Sequence, residues 1–500
     1  MSKNYQRHRK ILQDIAHDAM LEHGLLPDFS GAAMAEAGRA QAPTIQKGAP
    51  DGAALAVRDL RSLLWCSIDN DDSRDLDQLT VAEALPGDKI KIMVAIADVD
   101  VVVKNGSEMD KHAHHNTTSV YTAAEIFPML PEPISTGVTS LNPDDERLAI
   151  VLEMIIGADG ELLDSNIYRA WVRNHAQLAY NSLALWLEGA SPIPDAAAEV
   201  VGLVENLRLQ DTADQSLKAL RHIHGALSLE TIQSKPIFDG DQIQSLEIEE
   251  KNRAKELIED FMIAANGVTA RFLSARKFPS IRRVVRTPKR WERIIDIAYE
   301  YGEKLPGEPN SKALEEFLIR QKAADPLSFP DLSLTVIKLL GNGEYVAELP
   351  DGDILGHFGL AVKDYAHSTA PNRRYPDLLT QRLVKAALEG QPVPYSKDES
   401  DGFATHCTEA EDAVNKVERQ VEKSAAALLL ESRIGEQFDA FATGASEKGT
   451  WVRLLNVPVE GKLVQGCSGL DVGDRVRVQL IDTNVERGYI DFKQVGPSRD

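Results

Sequence analysis

Hydrophobic and polar positions follow different periods in successive parts of the chain. Between Gln6 and Leu25 the apolar residues recur at close to helical spacing, which predicts an amphipathic helix. From Leu63 to about Val103 the pattern changes to short apolar runs separated by charged loops, which predicts β-strands. The acidic segment SIDNDDSRDLDQL, residues 67–79, therefore lies between two predicted strands.

Longer helical patterns dominate the second half of the chain. Three segments have helical periodicity or closely spaced opposite charges, at residues 249–277, 377–390 and 406–435. The residues after 434 instead alternate short strand patterns with glycine turns, which predicts a small β-barrel. These patterns predict an α+β protein with a helical N-terminal region and linker at 1–55, a central domain at 56–433 and a barrel domain at 434–500.

Composition is ordinary for a soluble globular protein, with 43% hydrophobic and 26% charged residues. No apolar run is long enough to span a bilayer and no signal-peptide core follows the first residues, so we expect a cytoplasmic protein without a membrane partner. Its three cysteines are scattered, at positions 66, 407 and 467, and we expect them to be reduced.

The formal net charge of −22 argues against a general nucleic-acid coat protein. A local basic channel is still compatible with that charge, because basic residues cluster at 280–293 and 371–377. We expect the first of these clusters to be a solvated helix face. Any polyanion would then be bound locally, within a largely acidic protein.

The aspartates at positions 69, 71, 72, 75 and 77 admit three interpretations. The first is a solvated acidic turn. The second is a calcium loop of the EF-hand type, but counting from Asp69 places Arg74 where the sharp turn needs glycine and Thr80 where the bidentate glutamate belongs. The third is a magnesium site for phosphoryl transfer, for which Asp69, Asp75 and Asp77 supply oxygen ligands.

A second segment, residues 356–382, supplies chemistry that is complementary to the acidic one. Arg373 or Arg374 is suited to bind a phosphate through its forked guanidinium, and Ser368 and Thr369 offer neutral donors. Carboxylates with a metal and an arginine clamp are parts of a phosphodiester-cleaving site. The alternative is a tight turn whose arginines form ion pairs with the acidic loop, and both interpretations bring the two segments together.

From about Leu63 to Gly390 the chain resembles the ribonuclease II (RNB) family of exoribonucleases. Seven segments carry the resemblance in the family's order: SIDNDDSRDLD, VAIADVDVVVKNGSEMDKHA, SVYTAAEIFPMLP, SLNPDDERLAIVLEM, QLAYNSL, ELIEDFMIAAN and HFGLAVKDYAHSTAPNRRYPDLLTQRL. Residues 438–492 resemble the five-stranded OB-type barrel of the ribosomal S-one class that follows the catalytic domain in many members, a fold that usually binds oligonucleotides.

The resemblance implies a 3′-to-5′ exoribonuclease that hydrolyses single-stranded RNA to nucleoside 5′-monophosphates with Mg²⁺. It implies that Asp69, Asp75 and Asp77 bind metal and orient the attacking water, and that Arg373 stabilises the developing charge. It also implies RNA-binding roles for Tyr121, which would stack on terminal bases, and for residues further along the channel, Tyr180 and Glu259. Ser368, Thr369, Arg374 and His367 would support RNA in the same segment, His367 by positioning or packing.

Each of these roles has a structural alternative. Tyr121 and Tyr180 could be half-buried packing aromatics, which is the commoner fate of tyrosine. Glu259 could be a solvated helix position. Asp98, which ends the predicted strand VAIAD, could be a turn residue or could support the metal ligands from behind as readily as it could be a ligand itself.

Three features depart from the family pattern. Gln78 stands where the family's aspartate tract usually ends in a second aspartate, so one metal position loses a charged ligand. Leu229 stands where an aromatic usually completes the stack on the terminal base, which should lose part of the roughly 1–3 kcal/mol per base that stacking contributes. The first 55 residues are too short and too helical to supply the paired cold-shock barrels that often precede the catalytic domain.

The departures leave a second hypothesis open, a catalytically weakened or inactive RNA-binding protein on the same scaffold. An endonuclease and a DNA-directed enzyme are further alternatives. No obligate protein partner is evident in the sequence, and we expect a monomer that acts on single-stranded RNA.

Overall fold

A computed structural model describes residues 8–44, 57–230, 234–248, 251–326, 328–350, 352, 356–446, 449–470 and 474–497. The expected boundary between the N-terminal linker and the central domain, near residue 55, lies outside the described residues. Across the described ranges no helix is both long and apolar enough to cross a membrane.

Short strands account for most of the β-structure before the C-terminal barrel. They are β1 Arg58–Asp59, β2 Cys66–Asp69, β3 Gln78–Leu85, β4 Lys89–Ala97, β5 Val120–Tyr121, β6 Ile126–Phe127, β7 Glu146–Ile156, β8 Leu162–Arg173, β9 Ala176–Ala179, β10 Ser234–Asp239, β11 Gln242–Ile248, β12 Ser280–Val284 and β13 Glu344–Glu348.

The helices surround these strands and connect the modules. They are α1 His8–Glu22, α2 Gly31–Ala37, α3 Glu108–Asn116, α4 Tyr180–Leu187, α5 Asp195–Ala198, α6 Leu203–Ile223, α7 Arg253–Ala275, α8 Trp291–Glu300, α9 Ser311–Ala324, α10 Phe329–Leu340, α11 Tyr375–Leu388 and α12 Lys397–Leu430.

The central sheet has seven strands in the order β1-β8-β7-β4-β3-β2-β9. Most neighbours are antiparallel, but β9 runs parallel to β2 in a register that pairs Ala179 with Asp69. The strands carry near-continuous apolar runs because helices cover the sheet, and its core includes the fully buried side chains of Trp65, Ile68 and Leu79. The ends of β2, β4 and β9 and the start of β3 meet at one edge of this sheet.

Helices α8 to α10 form a separate cluster, Trp291–Leu340, which we call the helical module. Its core is built from buried side chains such as Trp291, Phe317 and Phe329. The β10–β11 hairpin is a second appendage, and it packs against α1 and α12. The hairpin lies beside the acidic segment, because Lys235 of β10 is 3.8 Å from Asp72.

The C-terminal residues form the expected closed five-stranded barrel, in the order β14-β15-β16-β18-β17. Its strands are β14 Gln437–Ser446, β15 Gly449–Leu454, β16 Glu460–Gln465, β17 Arg475–Asn484 and β18 Tyr489–Pro497. Gly461 is required where β16 approaches β18, because a Cβ there would lie 2.5 Å from the ring of Phe492. The barrel packs on α12 through β17 and β18.

The α+β class is confirmed, and the three long helices predicted from periodicity appear as α7, α11 and α12. Helix α12 begins nine residues earlier than predicted, at Lys397 rather than His406, because Ser396 and Glu399 form a capping box that starts it. The prediction of a solvated helix face at 280–293 holds for the exposed Arg290 and Arg293 at the start of α8 but is wrong for Ser280–Val284, which form β12. Arg282 is a buried residue of β12 that pairs with Glu348 on β13 at 2.7 Å, so most of its charge is neutralised internally.

Candidate active site

The acidic segment forms a loop between β2 and β3 at one edge of the central sheet. Asp69 is the last residue of β2, and its parallel partner Ala179 is followed at once by Tyr180, the first residue of α4. At the other end of the loop, the carbonyl of Asp77 accepts a hydrogen bond from the amide of Ala97 on β4 at 3.0 Å. The sheet register therefore brings the acidic loop and Tyr180 to the same place.

Asp77 is the most deeply buried carboxylate of the loop, with 1% of its surface exposed. One oxygen, Oδ1, accepts a hydrogen bond from the backbone amide of Asn372 at 2.9 Å. The other, Oδ2, lies 3.3 Å from Nε of Arg373 and has no hydrogen-bond donor. The arginine segment thus closes directly over the acidic loop, as both interpretations of the two motifs require.

Asp75 and Asp69 complete the carboxylate group. The hydroxyl of Tyr121 lies 3.4 Å from Oδ2 of Asp75, and Oδ1 of Asp69 accepts hydrogen bonds from Oγ of Ser73 at 2.8 Å and from the amide of Asn70 at 2.7 Å. Burial raises the pKa of Asp75; Arg373 opposes that shift, and the charge of Asp69 adds to it. The three carboxylates are therefore within electrostatic range of one another and of Arg373.

The donor set suits a hard divalent cation. Burial raises the pKa of Asp77 to about 7; Arg373 opposes the shift, and the charge of Asp75 adds to it. A buried oxygen without a donor, inside an anionic pocket, is an acceptor that a cation would satisfy. Among the described residues, however, no three His, Cys, Asp or Glu side chains are already gathered as a complete metal site, so water and substrate oxygens would have to supply the remaining ligands.

Gln78 lies directly after Asp77 and is 7% exposed. Within the described part of the chain, its carboxamide makes no hydrogen bond with another residue. Asp71 and Asp72 do not replace it. Both are exposed, and Asp72 faces Lys235 of β10 at 3.8 Å, on the outer side of the loop.

A fully buried aspartate organises the arginine segment. Oδ1 of Asp377 accepts hydrogen bonds from the amides of Thr369 and Ala370 and from Nη2 of Arg374, each at 2.8 Å. Arg374 is thereby turned toward α11, whereas Arg373 faces Asp77. The two neighbouring arginines have different surroundings, and Arg373 is the one that reaches the carboxylates.

Buried ion pairs fix α11, and with it the arginine segment, to the central sheet. Lys385 pairs with Asp98 at 2.7 Å and with Asp100 at 2.8 Å, and Arg382 pairs with Asp110 at 2.7 Å. Asp98 also pairs with Arg169 of β8 at 2.9 Å. Asp98 is therefore engaged in bracing α11 against the sheet.

Tyr121 stands on β5 with 42% of its surface exposed, beside Asp75. Its backbone amide donates a hydrogen bond to Oε1 of Glu418 in α12 at 2.9 Å. Burial raises the pKa of Glu418, while the hydrogen bond from Tyr121 opposes the shift. An exposed ring at a fixed backbone position is available for contact with a ligand.

Tyr180 is the first residue of α4, and Glu259 lies on α7. Burial, followed by the charge of Asp69, raises the pKa of Tyr180, while Arg373 lowers it, so Tyr180 is close to both groups. Glu259 is an exposed residue of α7, and its Oε2 lies 3.5 Å from Nζ of Lys251. Its charge also acts on Arg221 and Tyr365, which links it to the arginine segment.

The remaining residues named from the sequence have internal contacts. Leu229 is half-buried and packs against the helical module. The hydroxyl of Ser368 is bonded to Asn266 and Thr269, both at 2.9 Å. Nδ1 of His367 lies 2.9 Å from the hydroxyl of Tyr345, and burial, reinforced by nearby arginines, lowers the pKa of His367 well below its usual range. These contacts hold the segment that carries Arg373.

Three residues at this site were missed in the sequence. Asn372 supplies the amide that binds Asp77 and is itself held by Oγ1 of Thr139 at 2.6 Å. Asp377 organises the arginine segment, and Glu418 holds Tyr121. Asp377 could have been found, since it follows paired arginines at the start of a helix, but nothing local marks Glu418 within the alternating charges of α12.

Comparison with known families gives two matches. Residues 57–390 match the RNB domain, and residues 436–495 match the RNase II-type exonuclease C-terminal S1 domain. The first match covers well over half of the chain and includes every candidate residue named above except Glu418.

Curated relatives carry the name Ribonuclease R. The one from Vibrio parahaemolyticus is 31% identical over 93% of this chain and 59% of its own length. The one from Escherichia coli is 30% identical over 92% of this chain and 60% of its own length. The chain thus spans about three fifths of the length of these relatives.

Solved structures share the fold. Mycoplasma genitalium RNase R in complex with ribose-methylated single-stranded RNA has a TM-score of 0.85 at 22% identity, covering 97% of this chain and 78% of its own. Yeast Ssd1, a pseudonuclease, has a TM-score of 0.71 at 14% identity, covering 94% of this chain and 58% of its own. From the family match, supported by this common fold, the chain belongs to the RNB family and carries a C-terminal barrel of the S1 type.

Proposed function

We propose that the protein is a Mg²⁺-dependent 3′-to-5′ exoribonuclease that hydrolyses single-stranded RNA to nucleoside 5′-monophosphates. The observation that carries the proposal is Asp77, a buried carboxylate with one oxygen free of donors and Arg373 against it. That arrangement lies within the region that matches the RNB domain. RNase R structures contain single-stranded and double-stranded RNA, and the Ribonuclease R sequences align over most of this chain.

RNB-family exoribonucleases are metal-dependent in general. Here Asp69, Asp75 and Asp77 would hold the metal, and Gln78 would offer a neutral oxygen in place of a fourth carboxylate. Bound Mg²⁺ would supply charge for the phosphate oxygens and activate water. The aspartates suit this role because burial, followed by their mutual repulsion, raises the pKa values of Asp75 and Asp77, and a cation would relieve that repulsion.

The protein's own residues would orient the RNA end. Arg373, on the rim of the carboxylate group, would donate to the scissile phosphate and stabilise its charge in the transition state. The exposed ring of Tyr121 would stack on a base near the 3′ end. Tyr180 and Glu259 would hold the RNA further along the channel, and Leu229, His367, Ser368, Thr369 and Arg374 would shape the channel wall.

We further propose a division of labour among the regions. Residues 56–433 would carry catalysis, and 434–500 would bind single-stranded RNA ahead of the site, as OB-type barrels commonly do. Residues 1–55 would brace this arrangement, since the described part of α1 packs on α12. The protein would act as a monomer.

A second candidate function is RNA binding without hydrolysis. Gln78 favours it, because an amide replaces a charged ligand beside Asp77, and the shared fold with a yeast pseudonuclease shows that the scaffold exists without activity. Asp77 and Arg373 favour the enzyme, since a buried carboxylate oxygen without a hydrogen-bond donor beside an arginine is a site that a cation and a phosphate would complete.

The test is incubation of the purified chain with 5′-labelled and 3′-labelled single-stranded RNA, with Mg²⁺ and with EDTA. The enzyme predicts mononucleotides from the 3′ label and progressively shorter 5′-labelled RNA, both abolished by EDTA. Tight binding without mononucleotide release would support the second candidate, and internal fragments would indicate an endonuclease. Equal degradation of DNA would refute the RNA selectivity.

Replacing Asp77 with asparagine tests the assigned residue. Asp77→Asn keeps the acceptor for the Asn372 amide but removes the charge, so we expect cleavage to fall by at least about 10³-fold while RNA affinity changes by less than about threefold. Asp72→Asn, on the exposed outer side of the loop, is the matched control and should retain activity. Survival of activity in Asp77→Asn would refute the ligand assignment.

A further inference from the structure

One continuous stretch of chain, residues 117–141, contacts both halves of the candidate active site. It leaves α3, carries Tyr121 on β5, returns through β6 and ends shortly before β7. The first residues of this stretch form hydrogen bonds with the arginine segment, and its last residues form hydrogen bonds with the acidic loop. We call residues 117–141 the bridging segment.

The end of the bridging segment holds the backbone between two candidate metal ligands. Ser140 is completely buried, and its Oγ accepts a hydrogen bond from the amide of Leu76 and donates one to the carbonyl of Arg74, each at 2.9 Å. The amide of Leu141 donates a hydrogen bond to the carbonyl of Leu76 at 3.0 Å. Both polar backbone groups of Leu76, the residue between the two carboxylates, are therefore bound by adjacent residues of the bridging segment.

This backbone contact matters because the carboxylate of Asp75 has few contacts of its own. Among the described residues, its one side-chain hydrogen-bond contact is with the hydroxyl of Tyr121, at 3.4 Å. The position of the carboxylate therefore depends mainly on the backbone that carries it. A ligand group that is displaced by even a fraction of an ångström loses much of its affinity for a metal.

The start of the bridging segment holds the backbone of Arg373. The carbonyl of Arg373 accepts two hydrogen bonds at 2.9 Å, one from Oγ1 of Thr118 and one from the amide of Ser119. Two residues further on, the amide of Tyr375 donates a hydrogen bond to the carbonyl of Thr117 at 2.7 Å. Three consecutive residues of the bridging segment thus fix the arginine segment where it faces the carboxylates.

The backbone is strained where the bridging segment leaves α3. Thr117 is buried and has a φ of 59°, which a β-branched residue rarely adopts because its side chain crowds the backbone. Such a conformation persists only where the surrounding contacts over-determine it, and strain of this kind clusters at functional sites. Here the amide of Thr117 bonds to the carbonyl of Ala113 at 2.8 Å, and its carbonyl bonds to Tyr375. The strained turn directs the next two residues toward Arg373.

We propose that Ser140 and Thr118 are positioning residues of the candidate active site. Ser140 fixes the backbone from which Asp75 and Asp77 would hold the metal. Thr118 fixes the backbone from which Arg373 would reach the scissile phosphate. The inference rests on the proposed exoribonuclease function. Because the two residues act on different halves of the site, loss of each hydroxyl should have a different effect.

Loss of the Ser140 hydroxyl should weaken metal binding. Mn²⁺ is the probe, because EPR spectroscopy detects free Mn²⁺ and so measures its dissociation constant from the full chain without requiring catalysis. We expect Ser140→Ala to raise that constant about tenfold, as is typical when a group that supports a metal ligand is removed. Asp77→Asn, which removes a ligand, should weaken binding more strongly and so assigns the signal to this site.

A matched control and a milder variant accompany Ser140→Ala. Ser135 is a buried serine of the same segment whose hydroxyl lies 3.5 Å from the carbonyl of Leu130, so Ser135→Ala should bind Mn²⁺ as the wild type does. Ser140→Cys keeps a weaker donor and acceptor and should give an intermediate dissociation constant. It tests the assignment even if Ser140→Ala does not fold, and thermal unfolding checks the fold of every variant.

Loss of the Thr118 hydroxyl should slow turnover and leave metal binding intact. Thr118→Val keeps the shape of the side chain and removes one of the two hydrogen bonds to the carbonyl of Arg373. On a short single-stranded RNA we expect kcat to fall about tenfold, and KM and the Mn²⁺ dissociation constant to change by less than about threefold. Thr118→Ser, which keeps the hydroxyl, should restore most of the rate. Thr136→Val is the matched control, since that hydroxyl bonds to the carbonyl of Glu132 within the bridging segment.

The outcomes separate the inference from the function on which it rests. Equal losses of Mn²⁺ binding and of turnover in Ser140→Ala and Thr118→Val would overturn it, because they would indicate general loosening of the fold. Wild-type Mn²⁺ binding in both Ser140 variants would overturn the role of Ser140. An unchanged kcat in Thr118→Val, or no recovery in Thr118→Ser, would overturn that of Thr118.

The wild type alone tests the proposed function. If it binds Mn²⁺ but releases no mononucleotide, the proposed function is refuted and the role of Thr118 with it, whereas Mn²⁺ binding by the Ser140 variants still decides the role of Ser140. A wild type that binds no Mn²⁺ would refute the metal site and the role of Ser140 together.

Discussion

The carboxylates of the candidate site are maintained by contacts that oppose their electrostatic cost. Burial raises the pKa of both Asp75 and Asp77, which favours their neutral forms. Arg373 lowers the pKa of both, and the amide of Asn372 lowers that of Asp77, so these contacts favour the charged forms. Tyr121 completes this group by placing its hydroxyl near Asp75 while its ring faces outward. Tyr121 therefore contacts the carboxylates through its hydroxyl and leaves its ring exposed to solvent.

The roles of the hydroxyl and of the ring of Tyr121 can be separated. Tyr121→Phe keeps the ring and loses only a 3.4 Å contact with Asp75, so we expect KM for short RNA to change by less than about threefold. Tyr121→Ala removes the ring, and the loss of about 1–3 kcal/mol of stacking should raise KM by about 5- to 150-fold. Steady-state kinetics on an oligonucleotide series measure both. Equal effects of the two variants would show that the hydroxyl, and not the stack, matters.

Asp377 tests how far the arginine segment depends on one buried charge. Asp377→Asn places a neutral amide against Arg374, and we expect the free energy of unfolding to fall by about 2 kcal/mol because a cation with only 24% of its side chain exposed loses its charged partner. Denaturant unfolding measures the loss, and Asp401→Asn, on the exposed face of α12, should show almost none. An unchanged midpoint for Asp377→Asn would mean that solvent reaches Arg374.

At the scale of elements, the short helix α3 forms much of the contact between the N-terminal region and the central domain. His112 of α3 is buried, its ring lies 4.1 Å from that of Phe29, and its Nε2 lies 3.3 Å from Nδ2 of Asn116. Asn116 in turn holds both the amide and the carbonyl of Leu26. One buried imidazole therefore lies at the centre of the contact between α3 and the segment that joins α1 to α2.

That imidazole predicts acid sensitivity. Burial, followed by the charge of His115, lowers the pKa of His112 to about 4, so between pH 6.5 and 4 the unfolded chain binds a proton that the folded chain excludes. The free energy of unfolding should therefore decrease as pH falls through 6.5 and level off below about 4. The loss should be on the order of 2–3 kcal/mol.

The check is denaturant unfolding at a series of pH values for the wild type and for His112→Gln, which keeps an acceptor for Asn116. The variant should lose this part of the pH dependence, whereas His224→Gln, at the exposed end of α6, should keep it. If wild type and His112→Gln respond identically to acid, then another group causes the effect.

At the scale of the molecule, modules that are distant in the chain contact each other directly. The barrel and the helical module approach each other through Arg453 of β15 and Asp331 of α10, whose Nη1 and Oδ1 atoms, and Nη2 and Oδ2 atoms, are each 3.0 Å apart. Both side chains are largely buried. This pair ties the C-terminal domain to the central one at a second point besides α12.

A double-mutant cycle should measure the interaction between Arg453 and Asp331. For Arg453→Gln and Asp331→Asn we expect a coupling of about 1–2 kcal/mol in the free energy of unfolding at pH 8. Burial raises the pKa of Asp331 to about 6, with Arg453 opposing the shift, so the coupling should fade as pH is lowered through 6. The exposed pair Arg320 and Glu303, within the helical module, should show less coupling. A zero value at pH 8 would mean that α12 alone docks the barrel.

Much of the element order was accessible from the sequence because it depends on local pattern. Helical periodicity identified α7 and α11, glycine-punctuated alternation identified the barrel, and the acidic loop was placed correctly between two strands. The basic residues of β12 were misjudged, since charge alone does not reveal that Arg282 has a carboxylate partner 66 residues away. Local sequence cannot report a pairing that only the folded chain creates.

The sequence by itself determined which chemical groups exist, in which order, and how the backbone near each of them folds. Only the tertiary structure decided that Asp77 meets the amide of Asn372, 295 residues later, and that Tyr121 is held by Glu418 on a helix 297 residues away. Propensity acts over a few residues, whereas burial, pKa shifts and cavities arise from surfaces that distant segments bring together.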